Sequence, residues 1–455
     1  MASTWTITRA GETRSLTDWG IASIRLTRRS LEVDDLVFSL KPADGLAAPS
    51  FVFDDVITLA QDGVTRFVGR IGGETIDAAD SKEQLSFLAK NLWDDLETLV
   101  YEQNRKIVDE DFANPAPIPT TQVVLFRQED YSEDGWHHVT SLGQIASCLA
   151  FAAARGVGLT PALDFTGVQP PWSEARDLSV AAAIRRAAAW TPDLATYIDY
   201  TTIPPTVHVV RRATMSTHEL DLTAGTQVLE LSGLRARKDL VPLGVVFIYL
   251  TSAVNPIDGL AYTRVSTSGA GVTSGARVIK ATVDLTNLEN NTTPMTGGAL
   301  HLAGAYFASL QQVFFDGSIT LKAFDCPGGL HPGMKVNLLN GRADWATAEA
   351  IIQEISEDLL LGVTTIIFGL PSPLSGADFV ALRTVAKNAR KDYPGAPGSA
   401  GGSTGTDGGS AGAPGTPGGS NPGGSAETGQ QQPDGGYNQQ PLELCGGQVI
   451  TVLTP

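Results

Sequence analysis

Along the first hundred residues, apolar side chains alternate with polar ones in short bursts. Ile21 to Arg29, Leu31 to Leu40, Phe51 to Leu59, Val64 to Ile71 and Gln84 to Ala89 are rich in β-branched and aromatic residues, and this pattern predicts strands. Asp62-Gly63 between two of them predicts a hairpin, because that pair supplies the positive φ a tight turn needs. Short strands with turns at this spacing predict a barrel or sandwich.

Beyond residue 101 the period changes. Leu142, Ile145, Leu149 and Ala153 share one helical face in a run opened near Thr140 and stopped at Gly156. A second helix is expected from an Asp177 cap through Val180, Ile184 and Ala187 to Trp190, halted by Pro192. Tyr197 to Tyr200 and Thr206 to Val210 flank Ile203-Pro-Pro205 and read as strand, turn, strand. The stretch is a mixed α+β module.

Strand patterns return at Val228 to Leu234, Gly244 to Leu250, Arg277 to Leu285, Ser318 to Phe324, Lys335 to Leu339, Ala348 to Ile355 and Val363 to Phe368. One helix is expected over 297–311. A last one starts from a Ser375 cap and carries Phe379, Leu382 and Ala386 on one face. Two stretches echo each other. Val56 to Leu59, Asp62-Gly63 and Phe67 match Val336 to Leu339, Asn340-Gly341 and Trp345: an apolar strand, an Asx-Gly turn and an aromatic four residues past the glycine. This spacing fits two copies of one β module.

Composition then sets a boundary near Asp392. Residues 393–440 hold 16 Gly and 6 Pro and neither Lys nor Arg, so they cannot bury enough apolar surface to offset backbone entropy and are expected to form a disordered linker. After it, Leu442, Leu444, Val449, Ile450, Val452 and Leu453 are too few for a core, and are expected to dock on the chain's own body or on a partner.

The chain of 455 residues has 32 Lys plus Arg against 49 Asp plus Glu, a net charge of −17. That argues against stable nucleic-acid binding, which needs a basic surface to displace counterions, and against docking on anionic lipid. The longest apolar run, Pro242 to Val254, is shorter than the ~20 residues a bilayer needs. No signal-peptide pattern opens the sequence. Cys148, Cys326 and Cys445 are far apart, which fits neither a disulfide framework nor a zinc site and suggests synthesis in a reducing cytoplasm.

Candidate chemistry is sparse. His137-His138 beside Glu133 and Asp134 lacks the i, i+4 spacing that puts two ligands on one helix face. His208, between valines, reads as packing; His218, His301 and His331 have no recognisable partners. The G-x-S-x-G matches at Ser403 and Ser410 lie in the linker, where nothing can strain a nucleophile turn. Gly269, Gly271 and Gly275 read as a loop, lacking the spacing of a phosphate cradle. Asp54-Asp55 and Asp94-Asp95, read as strand neighbours, would point to opposite faces and could not flank one glycosidic bond. Cys148 reads as core. No catalytic, metal or cofactor site is expected.

Several local phrases follow one another in order: Phe67-Val-Gly69-Arg-Ile71, Leu85-Ser-Phe87-Leu88, Ala187-Ala-Ala-Trp190-Thr-Pro192, Tyr197-Ile-Asp-Tyr200 through Pro205, Leu234 through Val245, Leu330-His-Pro-Gly333, Trp345, and Gly362 through Pro371. Their order resembles the tail hub, or baseplate hub, proteins of long-tailed bacteriophages, related to the base of contractile-injection spikes. These phrases span most of residues 1–392.

The resemblance implies a mainly β chain, α+β overall. Two tube-like β-barrel modules, 1–100 and 226–374, would flank an α+β module at 101–225, followed by a closing helix at 375–392, the linker at 393–440 and a docking segment at 441–455. It implies a homotrimeric ring joining a sixfold tail tube to a threefold tip, with tail tube or distal tail protein above, tip, fibre or tape-measure proteins below, and DNA only in transit. Such a protein would sit in the virion tail tip, assembled in the host cytoplasm. A negative channel wall would let DNA slide past. The rivals are a tail-associated cell-wall or polysaccharide hydrolase and a host-recognition module with a tethered tip.

Overall fold

Alternation of buried and exposed side chains organises the first ninety residues. In the computed structural model these form β1 (Trp5–Arg9), β2 (Glu12–Ser15), β3 (Ile21–Arg29), β4 (Asp35–Leu40), β5 (Ala43–Asp44), β6 (Val56–Gln61), β7 (Val64–Ala79) and β8 (Lys82–Lys90). The structure describes residues 4–41, 43–44, 51–79, 82–106, 117–130, 135–168, 170, 173–191, 193–223, 228–238, 241–275, 277–284, 303–304, 306–308, 310–311, 315–322, 330–369, 443–444 and 448–451. Asp62 (φ 50°) and Gly63 (φ 82°) make the expected two-residue turn, with Gln61 opposite Val64. One strand starts later than expected: Leu31 takes φ 61°, so the chain turns and β4 begins at Asp35.

The middle region holds α1 (Leu92–Thr98), β9 (Gln103–Lys106), β10 (Pro117–Thr120), β11 (Gln122–Leu125), β12 (Arg127–Asp130), β13 (Gly135–His138), α2 (Ser141–Ala154), β14 (Thr160–Asp164), β15 (Ser173–Arg176), α3 (Val180–Ala188), β16 (Leu194–Asp199) and β17 (Thr206–Arg211). Thr140 caps α2 as expected, its side chain accepting from the Gly143 N–H. Ser179 rather than Asp177 caps α3; Asp177 instead takes φ 52° just before the helix. The expected β16–β17 pair forms, antiparallel from Leu194↔Arg211 to Asp199↔Thr206.

The closing region contributes β18 (Thr217–Asp221), β19 (Val228–Ala236), β20 (Gly244–Val254), β21 (Ala261–Gly271), β22 (Val278–Asp284), β23 (Phe315–Lys322), β24 (Lys335–Leu339), β25 (Ala350–Asp358) and β26 (Val363–Phe368), with β27 (Glu443–Leu444) and β28 (Gln448–Thr451) near the C-terminus. Of the helix expected over 297–311, residues 303–304 and 306–308 are helical. The expected closing helix and linker lie outside the described residues. β18, with the single apolar residue Leu220, carried no strand signal; it runs parallel to β24, and Leu220 packs with the closing region.

The chain is mainly β. Fourteen strands form one sheet that curls into a half-barrel, in the order β19-β23-β26-β25-β3-β4-β8-β7-β6-β1-β2, with β18, β24 and β5 off this path. The two strand-rich regions therefore meet edge to edge, in the run Glu354↔Arg29 to Asp358↔Arg25. Their buried residues fall in two clusters, and Val245, Phe247 and Ile351 of the closing region join the first. Ile24, Leu26, Leu36, Phe38, Phe67 and Phe87 pack with the helices of the middle region, whereas Ile319, Leu321, Val336, Ile355, Ile366 and Phe368 form a second cluster.

At the seam the inward row changes from apolar to polar. Directly opposed residues run Leu321, Thr364, Glu357, Leu26, Leu36, Ala89 and Ile71, so Glu357 stands where one core gives way to the other. Arg28 Nη2 donates to Glu357 Oε2 at 2.9 Å, both side chains about nine-tenths buried, and Arg66 lies 3.7 Å from Oε1. On the opposite face Arg29 bonds Glu354 at 2.8 Å and Asp35 at 2.6 Å.

The sequence echo holds at its first copy only. Asn340 takes φ 60°, but β24 meets β25 only at Lys335↔Ile351 and Val336↔Ala350, with a 3₁₀ turn at Ala343–Trp345 between them. The Asn340 side chain is drawn instead to Asp221 (2.7 Å) and Thr223 (3.0 Å).

Glu357→Ala leaves Arg28 buried beside Arg66 without its carboxylate, and is expected to lower stability by roughly 3 kcal/mol in urea unfolding. Glu12→Ala, which breaks an exposed pair with Arg14, is expected to stay within ~1 kcal/mol. Equal effects would show that the seam pair is no more than a surface contact.

Candidate functional site

The residues that most constrain this fold gather where the first sheet, the middle region and the closing region meet. β3 leaves the sheet through Ser30 and Leu31. The Thr196 N–H donates to Ser30 Oγ at 2.9 Å, and the Leu31 N–H donates to Thr196 Oγ1 at 2.5 Å. Arg185 on α3 donates Nε to the Leu31 carbonyl at 2.9 Å and pairs with Glu97 on α1. These bonds hold a buried leucine in the left-handed region, a conformation that persists only where its surroundings over-determine it.

Next to this turn, Asp34 is buried and accepts from the Arg29 N–H and from the Tyr200 hydroxyl, both at 2.9 Å. Asn91 donates to the Tyr200 oxygen at 3.2 Å, and its Oδ1 caps α1 by accepting from the Trp93 N–H. Burial pushes the Asp34 carboxyl up to about 6, against the lowering effect of those donors.

The third member is the loop through Leu330-His-Pro-Gly333. Arg28 Nη1 donates to the Leu330 carbonyl at 3.1 Å, and the Gly333 N–H donates to the Ile352 carbonyl at 2.7 Å. Gly333 has φ 88°, and a Cβ there would lie 2.1 Å from that of Ala195 on β16, so only glycine allows this approach. Gly69 is similarly confined: a Cβ would come within 2.4 Å of the Lys90 carbonyl oxygen. Two glycines of the phrases that carry the tail-hub resemblance are thus close-packing positions.

The same loop lays His331 on Tyr197, ring centroids 4.2 Å apart, while His208 stacks on Tyr197 at 4.6 Å. Burial, then Arg28 and Arg66, hold His331 down at about 3. Burial also lowers His208. The sequence read His208 as packing, as its stacking on Tyr197 has it, but left His331 without a partner because Tyr197 lies far from it in sequence.

Other sequence-flagged chemistry is dispersed. His137 and His138 belong to β13, but their side chains, like Cys326, Cys445 and both G-x-S-x-G serines, lie outside the described residues. Among the described residues no group of His, Cys, Asp and Glu could hold a metal. Cys148 is buried on α2, and burial pushes its thiol up to about 12. Gly269 and Gly271 sit in β21, opposite Val246 and Gly244, rather than in a loop. Asp94 and Asp95 lie in the first turn of α1, not in a strand, and Asp54-Asp55 fall in the turn before β6, with Asp55 bonded to Arg9 at 2.6 Å. A cavity of about 200 Å³ between α2 and β11 is lined by Tyr101, Gln103, Gln144 and Phe151. Its inner amides are already engaged, Gln103 with the Val124 backbone and Gln144 with the Phe126 N–H.

A second, five-stranded sheet has the order β21-β20-β22-β28-β27. Its β20–β21 hairpin is anchored by buried Val245 and Phe247, and its tip exposes Ile257 at 93% and Leu260 at 67%. Of the six expected docking residues, Leu444 lies in β27, and Val449 and Ile450 lie in β28; Leu442, Val452 and Leu453 lie outside the described residues.

No family model matches the sequence, and no curated protein matches it. Among solved structures, the chain is similar to the tail protein from Neisseria meningitidis MC58, at 12% identity and a TM-score of 0.49, over 81% of this chain and 96% of that one. It is also similar to the 43 kDa tail protein of prophage MuSo2 from Shewanella oneidensis, at 12% identity and 0.48, over 81% and 98%. A prophage tail protein from Listeria monocytogenes EGD-e matches at 9% identity and 0.47, over 84% and 98%. All three are tail proteins by name.

The joint carries two titrations of opposite sign. His331, lowered from 6.5 to about 3, contributes stability that is present above pH 6.5 and lost as pH falls toward 3. Asp34, raised from 3.8 to about 6, contributes stability that is present below pH 3.8 and lost as pH rises through 6. Relative to the parent chain, His331→Asn is therefore expected to lose stability as pH rises from 4 to 6. Asp34→Asn is expected to gain it over the same interval, each with a slope of at most about 1.4 kcal/mol per pH unit. Urea unfolding at half-unit pH steps reads both signs, and parallel profiles for the three proteins would refute the assignment.

Proposed function

We propose that this chain is a structural component of a phage tail tip, acting by assembly rather than catalysis. Three copies form a hub ring that connects the sixfold tail tube to the threefold tip and encloses the DNA channel. Each copy brings two tube-like β-barrel modules, residues 1–100 and 226–374, around the α+β module at 101–225. A closing helix at 375–392 and a linker at 393–440 lead to the docking segment at 441–455. The tail tube or distal tail protein sits above, and tip, fibre or tape-measure proteins sit below. The place of action is the virion tail tip, after assembly in the host cytoplasm.

The observation that carries this reading is the β3–β25 seam. Two strand-rich regions share one continuous sheet, so they are held at a fixed angle by ladder hydrogen bonds and a buried ion pair. A ring built from paired modules needs that property, since angular play within a subunit would prevent closure. The net charge of −17 also suits a wall past which phosphate must slide without binding.

Negative-stain electron microscopy of the purified full-length protein tests the proposal. Class averages with threefold symmetry and a central hole of about 20 Å, wide enough for a duplex, are expected. Single-chain particles at every concentration would count against the ring. Release of a defined product from cell-wall material would favour the hydrolase instead.

A further inference from the structure

We propose that the outer edge of β22 is a strand-acceptor site, and that its resident occupant is this chain's own C-terminal segment, residues 441–455. β22 lies parallel to β20 in an unbroken register from Gly244↔Val278 to Leu250↔Asp284. The base of β20 is fixed in the main core, where Phe247 lies 6.0 Å from Trp190 and 5.6 Å from Tyr306. A strand paired on one side presents its remaining N–H and C=O groups on the other, and such a row is a template for any extended chain. On that outer side stands β28, antiparallel, with Thr282 opposite Thr451 and Val283 opposite Ile450. β28 is itself backed by β27, antiparallel, through Glu443↔Val449 and Leu444↔Gln448. Its strand reads Val449-Ile450-Thr451, three β-branched residues in succession, which suits an extended docking element.

The contact is short: among the described residues it covers two positions of β22, against seven on the β20 side. Two rungs would not hold separate molecules together. Here β26 and β27 belong to one chain, joined through residues 370–442. Tethering raises the local concentration of the segment toward the millimolar range and makes a weak strand contact persistent yet exchangeable. The segment thereby shields an edge that would otherwise invite pairing between copies. This inference does not depend on the hub reading.

Disulfide trapping in the full-length chain tests it. In a Cys445→Ser background, Val283→Cys and Ile450→Cys would stand directly opposite each other at the Cα spacing a disulfide spans. Mild oxidation is expected to give an intramolecular link, seen as a faster band of single-chain mass on a non-reducing gel. Its yield should exceed tenfold that of Lys280→Cys with Ile450→Cys, which is out of register. Equal yields for the two pairs would overturn the proposal. Links formed only between chains would overturn it as well, by assigning the edge to a second copy.

Hydrogen exchange gives a second readout. Removal of residues 441–455 is expected to speed exchange within Val278–Asp284 at least tenfold, leave β3 and β25 unchanged, and be reversed by a synthetic 441–455 peptide. Unchanged rates in β22 would refute the site. Imaging the same truncated protein shows independently whether a ring forms, so failure of one reading is distinguishable from failure of the other.

Discussion

The buried contact between Arg28 and Glu357 sits at the one place where two hydrophobic cores could have become two independent bodies. A sheet edge left by the first core, β3, and one left by the second, β25, satisfy each other's backbone groups. Each apolar residue of the central rungs faces a charged one, Leu26 opposite Glu357 and Ile355 opposite Arg28, so apolar matching across the seam does little to fix the register. The inward-facing ion pair removes this freedom: a slip of one residue would point every side chain of the strand to the other face and leave Arg28 buried without a carboxylate. Arg29 with Glu354 and Asp35 repeats the constraint on the opposite face, so the register is set from both sides.

The middle region adds stiffness around the same seam. The turn at Ser30 and Leu31 is gripped by Thr196 and Arg185, Asp34 is gripped by Tyr200, and the loop of His331 is pressed on Tyr197 and Ala195. Every one of these contacts joins segments more than a hundred residues apart in sequence. Such a polar joint fixes geometry: apolar packing alone tolerates rearrangement, whereas hydrogen bonds of fixed direction specify one arrangement. The cost is visible in the raised, buried Asp34 and the depressed, half-buried His331, both held away from their solution behaviour.

Much of the local structure follows from the sequence because short-range physics controls it. The Asp62-Gly63 turn, the Thr140 cap and the β16–β17 pair all appear where pattern and turn chemistry placed them. Local reading failed where a distant residue outweighed propensity. Leu31 is drawn out of its strand by Thr196, Asn340 is drawn out of a hairpin turn by Asp221 and Thr223, and β21, exposed along most of its described side chains, lacks the alternation that marks a half-buried strand. The joint was equally hidden. His208 and His331 lie far apart in sequence and only stack because β16 carries Tyr197 between them.

The sequence by itself determined the mainly β character, the position of the helical insert, the Gly- and Pro-rich composition of residues 393–440, and the acidity. Each of these depends on composition or on periods of a few residues. Only the tertiary structure decided that both strand-rich regions share one sheet, that β25 contributes to both apolar clusters, and that β22 pairs with β28. Edge-to-edge pairing is chosen by complementarity between strands hundreds of residues apart, and no local pattern encodes which edge will find which.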